Sequence, residues 1–149
     1  MTRCLMVWLL ALSSMLGAAQ RTSRAAPPEF WDQVKFVIER YLGRPYVWGG
    51  AGLKSFDCSG FVWRVMFENG VMIKRTTARK YYFSLPKVVA AEQKQPGDIV
   101  FFDNFKHCGI LNYDRSFYHA QTSVGTNLSL FDPFWRPKLC GVRRMPQPK

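Results

Sequence analysis

The sequence predicts an α+β domain. Two stretches of its first half, residues 29–42 and the run after Asp57, carry apolar residues at helical spacing. Its second half, from Ile99 onward, is a succession of short apolar strands separated by turn residues. Helices that precede the strands, instead of alternating with them, pack as a layer on an antiparallel sheet. At 149 residues the chain holds one domain with one ordinary core, and twelve Phe, six Tyr and five Trp argue against disorder.

Residues 1–19 read as a secretory signal. Arg3 gives the positive start, Leu5 to Leu16 is an apolar run of twelve residues, and Gly17-Ala18-Ala19 offers a cleavage point before Gln20. Twelve residues are short for a bilayer span, although a retained membrane anchor is the competing reading. Cleavage removes Arg3 and no acidic residue, taking the net charge from +11 to +10. Such a charge attracts nucleic acid, acidic lipid surfaces or bacterial cell wall, and export makes nucleic acid the least suited of the three.

Residues 20–28, rich in Ala, Pro and polar groups, form a linker to a domain over 29–145. Glu29 to Leu42 is an amphipathic helix with Phe30, Val34, Val37, Ile38 and Tyr41 on one face; Gly43 and Pro45 stop it. Residues 46–63, YVWGGAGLKSFDCSGFVW, are the centre of the chain. Glycines there permit a tight turn, and Asp57 caps a second helix whose Phe61, Val62, Val65 and Met66 recur at helical spacing. Cys58 then sits in the first turn of that helix. Free amides and the helix dipole there favour a thiolate, the nucleophilic form of cysteine.

That helix ends near Asn69-Gly70. Lys74, Arg75, Arg79 and Lys80 follow, as the lining of a groove for an anion or as a solvated basic face. Ala78 to Ser84 forms a short helix before Pro86. Strands over 99–102, 107–113, 117–121, 126–131 and 139–145 then read as a β meander, with residues 146–149 a loose tail.

After signal removal three cysteines remain, Cys58, Cys108 and Cys140. The odd count leaves at least one thiol free within the chain. Cys108 and Cys140 form a disulfide, or both are small buried apolar residues; in the first case only Cys58 reacts with iodoacetamide. Their scatter does not suggest a zinc cluster, and no metal or cofactor is expected.

A nucleophilic cysteine needs a base, and only His107 and His119 are available. Hairpin register decides whether they meet. A two-residue loop pairs 113 with 116 and puts the histidines on opposite faces. A three-residue loop pairs 112 with 116 and makes them diagonal neighbours on one face, about 7 to 8 Å apart at the backbone. Gly109 would then lie across from His119 and leave room for its ring.

YVWGG, FDCSGFV, QPGDIVFF, HCGIL and FYHA occur here in the order, and near the spacing, of the NlpC-type cell-wall cysteine peptidases, which the chain resembles over about residues 30–145. The resemblance implies a papain-like α+β fold with the cysteine helix on an antiparallel sheet. It makes Cys58 the nucleophile, His107 the general base, and His119 the polar residue that orients it. Tyr46 matches an oxyanion-binding tyrosine, and Asp57 and Ser59 match positions that hold the substrate peptide. It further implies a monomer that cuts peptidoglycan stem peptides, often between D-glutamate and a diamino acid, in the periplasm or cell wall. Some proteins of this type are toxins that cut a competitor's wall, and an immunity protein would then be a partner; in self-remodelling an activator protein would be one. Cys108 departs from the family, which usually carries an aliphatic residue there. By strand parity it faces away from His107, toward the core or a disulfide. Two other uses of the fold are lipid acyl chemistry by the thiol and an inactive wall-binding module.

Overall fold

The computed structural model describes residues 28–89, 93–113 and 115–149. The predicted signal over 1–19 and most of the predicted linker over 20–28 lie outside the described residues. Three helices, α1 (Pro28–Arg40), α2 (Cys58–Glu68) and α3 (Ala78–Ser84), precede five strands. The strands are β1 (Ile99–Phe102), β2 (His107–Tyr113), β3 (Ser116–Gln121), β4 (Gly125–Leu130) and β5 (Leu139–Arg143). The fold is α+β, with α2 and α3 set against an antiparallel sheet.

α1 buries Trp31, Val34, Val37 and Ile38, and Tyr41 just beyond its end is buried as well; Phe30 of the predicted stripe is only partly buried, packed against the core, and Trp31 joins the stripe. It ends two residues earlier than the periodicity suggests, and Gly43 turns the chain out with φ 75°. α2 begins where Asp57 caps it and ends at Asn69; α3 starts after a second cap, Thr77. The turn before β1 is fixed by Asp98, which accepts from the Gln95 backbone at 3.0 Å and pairs with Arg144 at 2.8 Å. The tail has no regular structure, yet Pro148 lies against Gly70 beyond the end of α2.

The sheet corrects the expected meander. Its order is β4-β3-β2-β1-β5, so β5 returns to pair with β1 instead of extending the sheet beyond β4. The reason lies in β1. Ile99 and Phe101 point into the helix-side core, while Val100 and Phe102 point into a second cluster on the opposite face, with Leu111, Phe117 and Trp135. A strand apolar on both faces belongs inside a sheet, and β5 covers its open edge. The return path, through a 3₁₀ turn at Arg136–Lys138, carries Trp135 across the outer face.

The β2–β3 hairpin combines both predicted registers. Tyr113 pairs with Ser116 at the tip, as for the short loop. Within two residues the register shifts, so that Leu111 pairs with Phe117 and Ile110 with Tyr118. Asn112 is the bulged residue, and its amide donates to the Ser116 hydroxyl at 3.0 Å. One extra residue in β2 restores the alignment that brings the two histidines to one face.

Candidate active site

The site begins with the cap of α2. The Asp57 carboxylate accepts from the Gly60 backbone at 2.6 Å, from the Gly49 backbone at 2.9 Å and from the Ser59 hydroxyl at 3.2 Å. Arg75 donates to both carboxylate oxygens at 2.7 Å and to the Ser59 hydroxyl at 3.0 Å. This Arg–carboxylate fork locks the loop after α2 onto its first turn. Of the four cations in that region only Arg75 reaches the site; Lys74, Arg79 and Lys80 are solvent-exposed. Sequence reasoning grouped the four and missed this role. The signal was Asp57 itself, a buried carboxylate that requires a partner.

Cys58 is 8% exposed, and its Sγ lies 3.9 Å from the Lys106 carbonyl, just before β2. Its pKa is lowered to about 5. The leading cause is a hydrogen bond from the Cys108 thiol; burial opposes it; the bond and charge of His107 and the Cys108 backbone N–H then add to the lowering. Cys108 is fully buried, and burial pushes its own thiol well above the ordinary range. The position that departs from the family pattern therefore bears on the Cys58 thiol as well as on the core.

His107 opens β2 on the face away from the helices, and its ring meets Cys58 around the end of the strand. Its Nε2 is 2.8 Å from Nδ1 of His119, whose Nε2 is 2.8 Å from the Ser129 hydroxyl. Ser129 donates to Asn127 Oδ1 at 3.0 Å, and the Asn127 amide donates to the Gly125 carbonyl at 2.8 Å. The chain of bonds fixes the protons. Because Ser129 gives its hydrogen to Asn127, it accepts from His119 Nε2–H. His119 Nδ1 is then an acceptor, so His107 Nε2 carries the hydrogen and its Nδ1 is the nitrogen left for the thiol. His119, 0% exposed, has its pKa lowered to about 3 by burial and by the charge of His107, so it stays neutral. Trp135 stacks on His107 with centroids 5.3 Å apart and stands edge-on to His119 at 4.9 Å. Ser129, Asn127 and Trp135 were not foreseen. Asn127 and Ser129 alternate along β4, but only the register that pairs His119 with Asn127 gives that alternation meaning.

A cleft of about 860 Å³ opens over Cys58, Tyr46 and His107, with Asp103, Lys106, Gln121, Thr122, Ser123 and Lys138 on its walls. A smaller lobe of about 280 Å³ adjoins it, between Trp48, Asp57, Ser59, Arg75 and Thr77. Tyr46 lines both lobes, and burial followed by the charge of Cys58 raises its pKa, keeping the hydroxyl a donor. Asp57 and Ser59 line the smaller lobe with their polar groups already engaged. Asp103, Asn104 and Phe105, on the approach to His107, all have positive φ (51°, 52° and 65°), a run of left-handed backbone that costs energy at each residue.

The three cysteines among the described residues, Cys58, Cys108 and Cys140, are free. β1 lies between β2, which carries Cys108, and β5, which carries Cys140. Two strand spacings separate them by roughly 9 to 10 Å, beyond the ~7 Å that a disulfide spans. The pairing considered from sequence is therefore absent, and the labelling expectation changes with it. Two thiols, exposed Cys140 and cleft-lining Cys58, will alkylate in the folded protein, and Cys108 only after unfolding. Labelling of Cys58 should fall as pH drops through about 5, where the thiolate is protonated. Iodoacetamide rates read by peptide mapping check both points; an inflection near the ordinary thiol value would contradict the low pKa.

The NlpC/P60 family model matches residues 43–144. The "Probable peptidoglycan endopeptidase LytE" of Bacillus subtilis is 35% identical over 107 residues, which cover 69% of this chain and 31% of that protein. The "Gamma-DL-glutamyl hydrolase" of the same species is 33% identical over 113 residues, covering 71% of this chain and 27% of the relative. The chain thus spans less than a third of either curated relative. A crystal structure from Staphylococcus aureus, described as similar to lipoprotein and of the NLP/P60 family, superposes with a TM-score of 0.72 at 30% identity. That superposition covers 83% of this chain and 44% of the other. On the extent of the family match and on these likenesses, the chain belongs to the NlpC/P60 family.

Proposed function

We propose that the chain is an exported peptidoglycan hydrolase, a thiol endopeptidase that cuts an amide bond in cell-wall stem peptides. The bond favoured is the one between D-glutamate and the diamino acid. The observation that carries this reading is the line Cys58–His107–His119–Ser129 beside an open cleft, with the thiol held near pKa 5 and the orienting histidine held neutral. A relative named for glutamyl hydrolysis supports the choice of bond.

The steps follow from the proton arrangement. His107 Nδ1 takes the Cys58 proton, and the thiolate attacks the amide carbon. The Cys58 backbone N–H, free at the start of α2, and the Tyr46 hydroxyl hold the oxyanion, a contribution of about 3 kcal/mol per donor. His107 then protonates the leaving amine, and water releases the acyl group from sulfur. His119 keeps the His107 ring turned, and Trp135 covers it from above. Arg75, Asp57 and Ser59 shape the lobe that receives one side of the peptide.

The cleft walls favour a peptide over an acyl chain. Lys106, Lys138, Asp103, Gln121 and Thr122 present polar groups along the larger lobe. The apolar hollow of about 350 Å³ between Val100, Leu111, Leu139 and Val142 shares no lining residue with Cys58. Export by the signal over residues 1–19, a domain over 29–145, a monomeric state and weak attraction of the basic surface to anionic wall polymers belong to the same reading.

The test is mass spectrometry of purified muropeptides incubated with the protein, beside a Cys58→Ala control. New fragments that need Cys58 support the proposal, and their masses name the bond. Absence of cleavage while both proteins stay on the wall would favour a binding module instead. His119→Gln should retain activity reduced about 10- to 100-fold, because an amide can accept from His107 and donate to Ser129. If His119→Gln were as inactive as Cys58→Ala, orientation of His107 would be too small a role for His119.

A further inference from the structure

Cys108 is not consumed in the proposed hydrolysis, yet it shares a core cluster with the proposed nucleophile. It follows His107 on β2, faces the helices, and is 0% exposed within the core cluster that also holds Cys58. The Cys58 Sγ lies 3.9 Å from the Lys106 carbonyl, two residues before Cys108, where α2 packs on β2, and the two thiols bear on each other's protonation. Cys58 opens on the cleft, and Cys108 is sealed behind it. One sulfur reachable by small solutes, with a second shielded in the core cluster behind it, is the arrangement of an oxidisable thiol and a resolving thiol. Cys140 cannot take the second part, because β1 stands between it and β2 and its Sγ–H is directed to the Phe101 carbonyl at 3.4 Å.

We propose that Cys58 and Cys108 are an oxidative modification site, at which a peroxide entering the cleft converts the two thiols into a reversible intramolecular disulfide. The disulfide switches off the nucleophile and shields it from irreversible oxidation. The effect on hydrolysis rests on the function proposed above; the sulfur chemistry stands apart from it.

The chemistry balances with hydrogen peroxide as oxidant. The Cys58 thiolate attacks one peroxide oxygen; an S–O bond forms, the O–O bond breaks, and sulfur gives up two electrons. The departing hydroxide takes the proton held by His107 and leaves as water. The Cys108 sulfur then attacks the Cys58 sulfur; the S–S bond forms, the S–O bond breaks, and hydroxyl leaves with the Cys108 proton as a second water. A dithiol reverses the change by supplying two electrons and two protons. Burial keeps Cys108 protonated, while Cys58 is ionised, so the oxidant meets only one reactive sulfur.

Peptide mapping of the full chain tests this. The protein is exposed to hydrogen peroxide, its free thiols are alkylated, and it is digested with trypsin without reduction. The expected product is residues 55–64 joined to residues 107–115, in a protein lighter by two hydrogen atoms, with Cys140 alkylated. Hydrolysis should be lost on oxidation and return to most of its starting rate with dithiothreitol. In Cys108→Val, peroxide should instead place two or three oxygens on Cys58, and dithiothreitol should restore less than about a tenth of that variant's own starting rate. Oxygenated Cys58 in the parent, a link from Cys58 to Cys140, or full recovery of Cys108→Val would overturn the proposal. Should Cys108→Val fail to fold, the linked peptide in the parent and its absence in Cys58→Ala decide the matter. Because the map reads sulfur and not turnover, a parent without hydrolase activity would refute the function and leave the disulfide to be judged by itself.

Discussion

Cys58→Ala should lower turnover of wall peptides by about 10⁴-fold or more and leave a cooperatively folded protein. In the proposed mechanism the Cys58 sulfur carries the acyl group, so His107, Tyr46 and the amides of α2 have no covalent chemistry to assist once it is gone. What remains is oxyanion binding and positioning, which act weakly without a nucleophile. The fold should tolerate the change because Asp57, and not Cys58, ties down the start of α2, through Gly49, Gly60, Ser59 and Arg75. Parallel measurement of muropeptide cleavage and thermal unfolding separates the two effects. Turnover at even a hundredth of the parent rate would remove Cys58 as the nucleophile.

Gly60→Ala should be nearly as damaging for a different reason. A Cβ on Gly60 would lie 1.9 Å from the Gly50 carbonyl oxygen and 2.9 Å from its carbon. Neither is the end of a flexible side chain. Gly50 O also accepts from the Asp57 backbone at 2.9 Å, so the loop cannot withdraw without breaking the bond that leads into α2. The expected cost is about 3 kcal/mol of stability or more, at the upper end of overpacking. Activity should fall about 100-fold, since the loop carries Tyr46 and a displacement near 1 Å misaligns a site of this kind. Gly52→Ala is the control, for nothing lies within 4 Å of the position its Cβ would take. A Gly60→Ala protein that melts and turns over like the parent would mean that the loop yields far more readily than its bonds imply.

The elements and the candidate site residues were legible because local chemistry specifies them. Asp57 before an apolar helical pattern, Thr77 before Ala78, and the apolar runs at 99–102 and 107–113 mark their own boundaries. The place of β5 was not legible, because adjacency in sequence favours β4 as its neighbour. Only the two-sided burial of β1 supplies the reason to close its other edge. Cys58, His107 and His119 were singled out by residue type, spacing and the family resemblance, but their alignment depends on a single bulge at Asn112 that no turn signal announces. Ser129 and Trp135 come from beyond that hairpin. Their roles depend on register and on a crossing of the sheet, which one-dimensional patterns do not encode. The meeting of Cys108 with Cys58 is of the same kind: parity assigns Cys108 to the core, but which helix residue it meets there is settled by packing.

The return of β5 to β1 has a consequence for synthesis. A ribosome delivers Cys58 and its helix early, and both histidines well before the chain reaches Leu139. Until that last strand arrives, β1 has an open edge and the segment bearing Trp135 has nothing to anchor its far end. His107 and His119 then lack their cover, and the line of hydrogen bonds that fixes their protons stands open to water. A nascent chain paused or truncated before residue 139 therefore holds every proposed reacting group without a working arrangement of them. Competence arrives with the final strand, so the protein is assembled in an order that delays its own chemistry until the domain is complete.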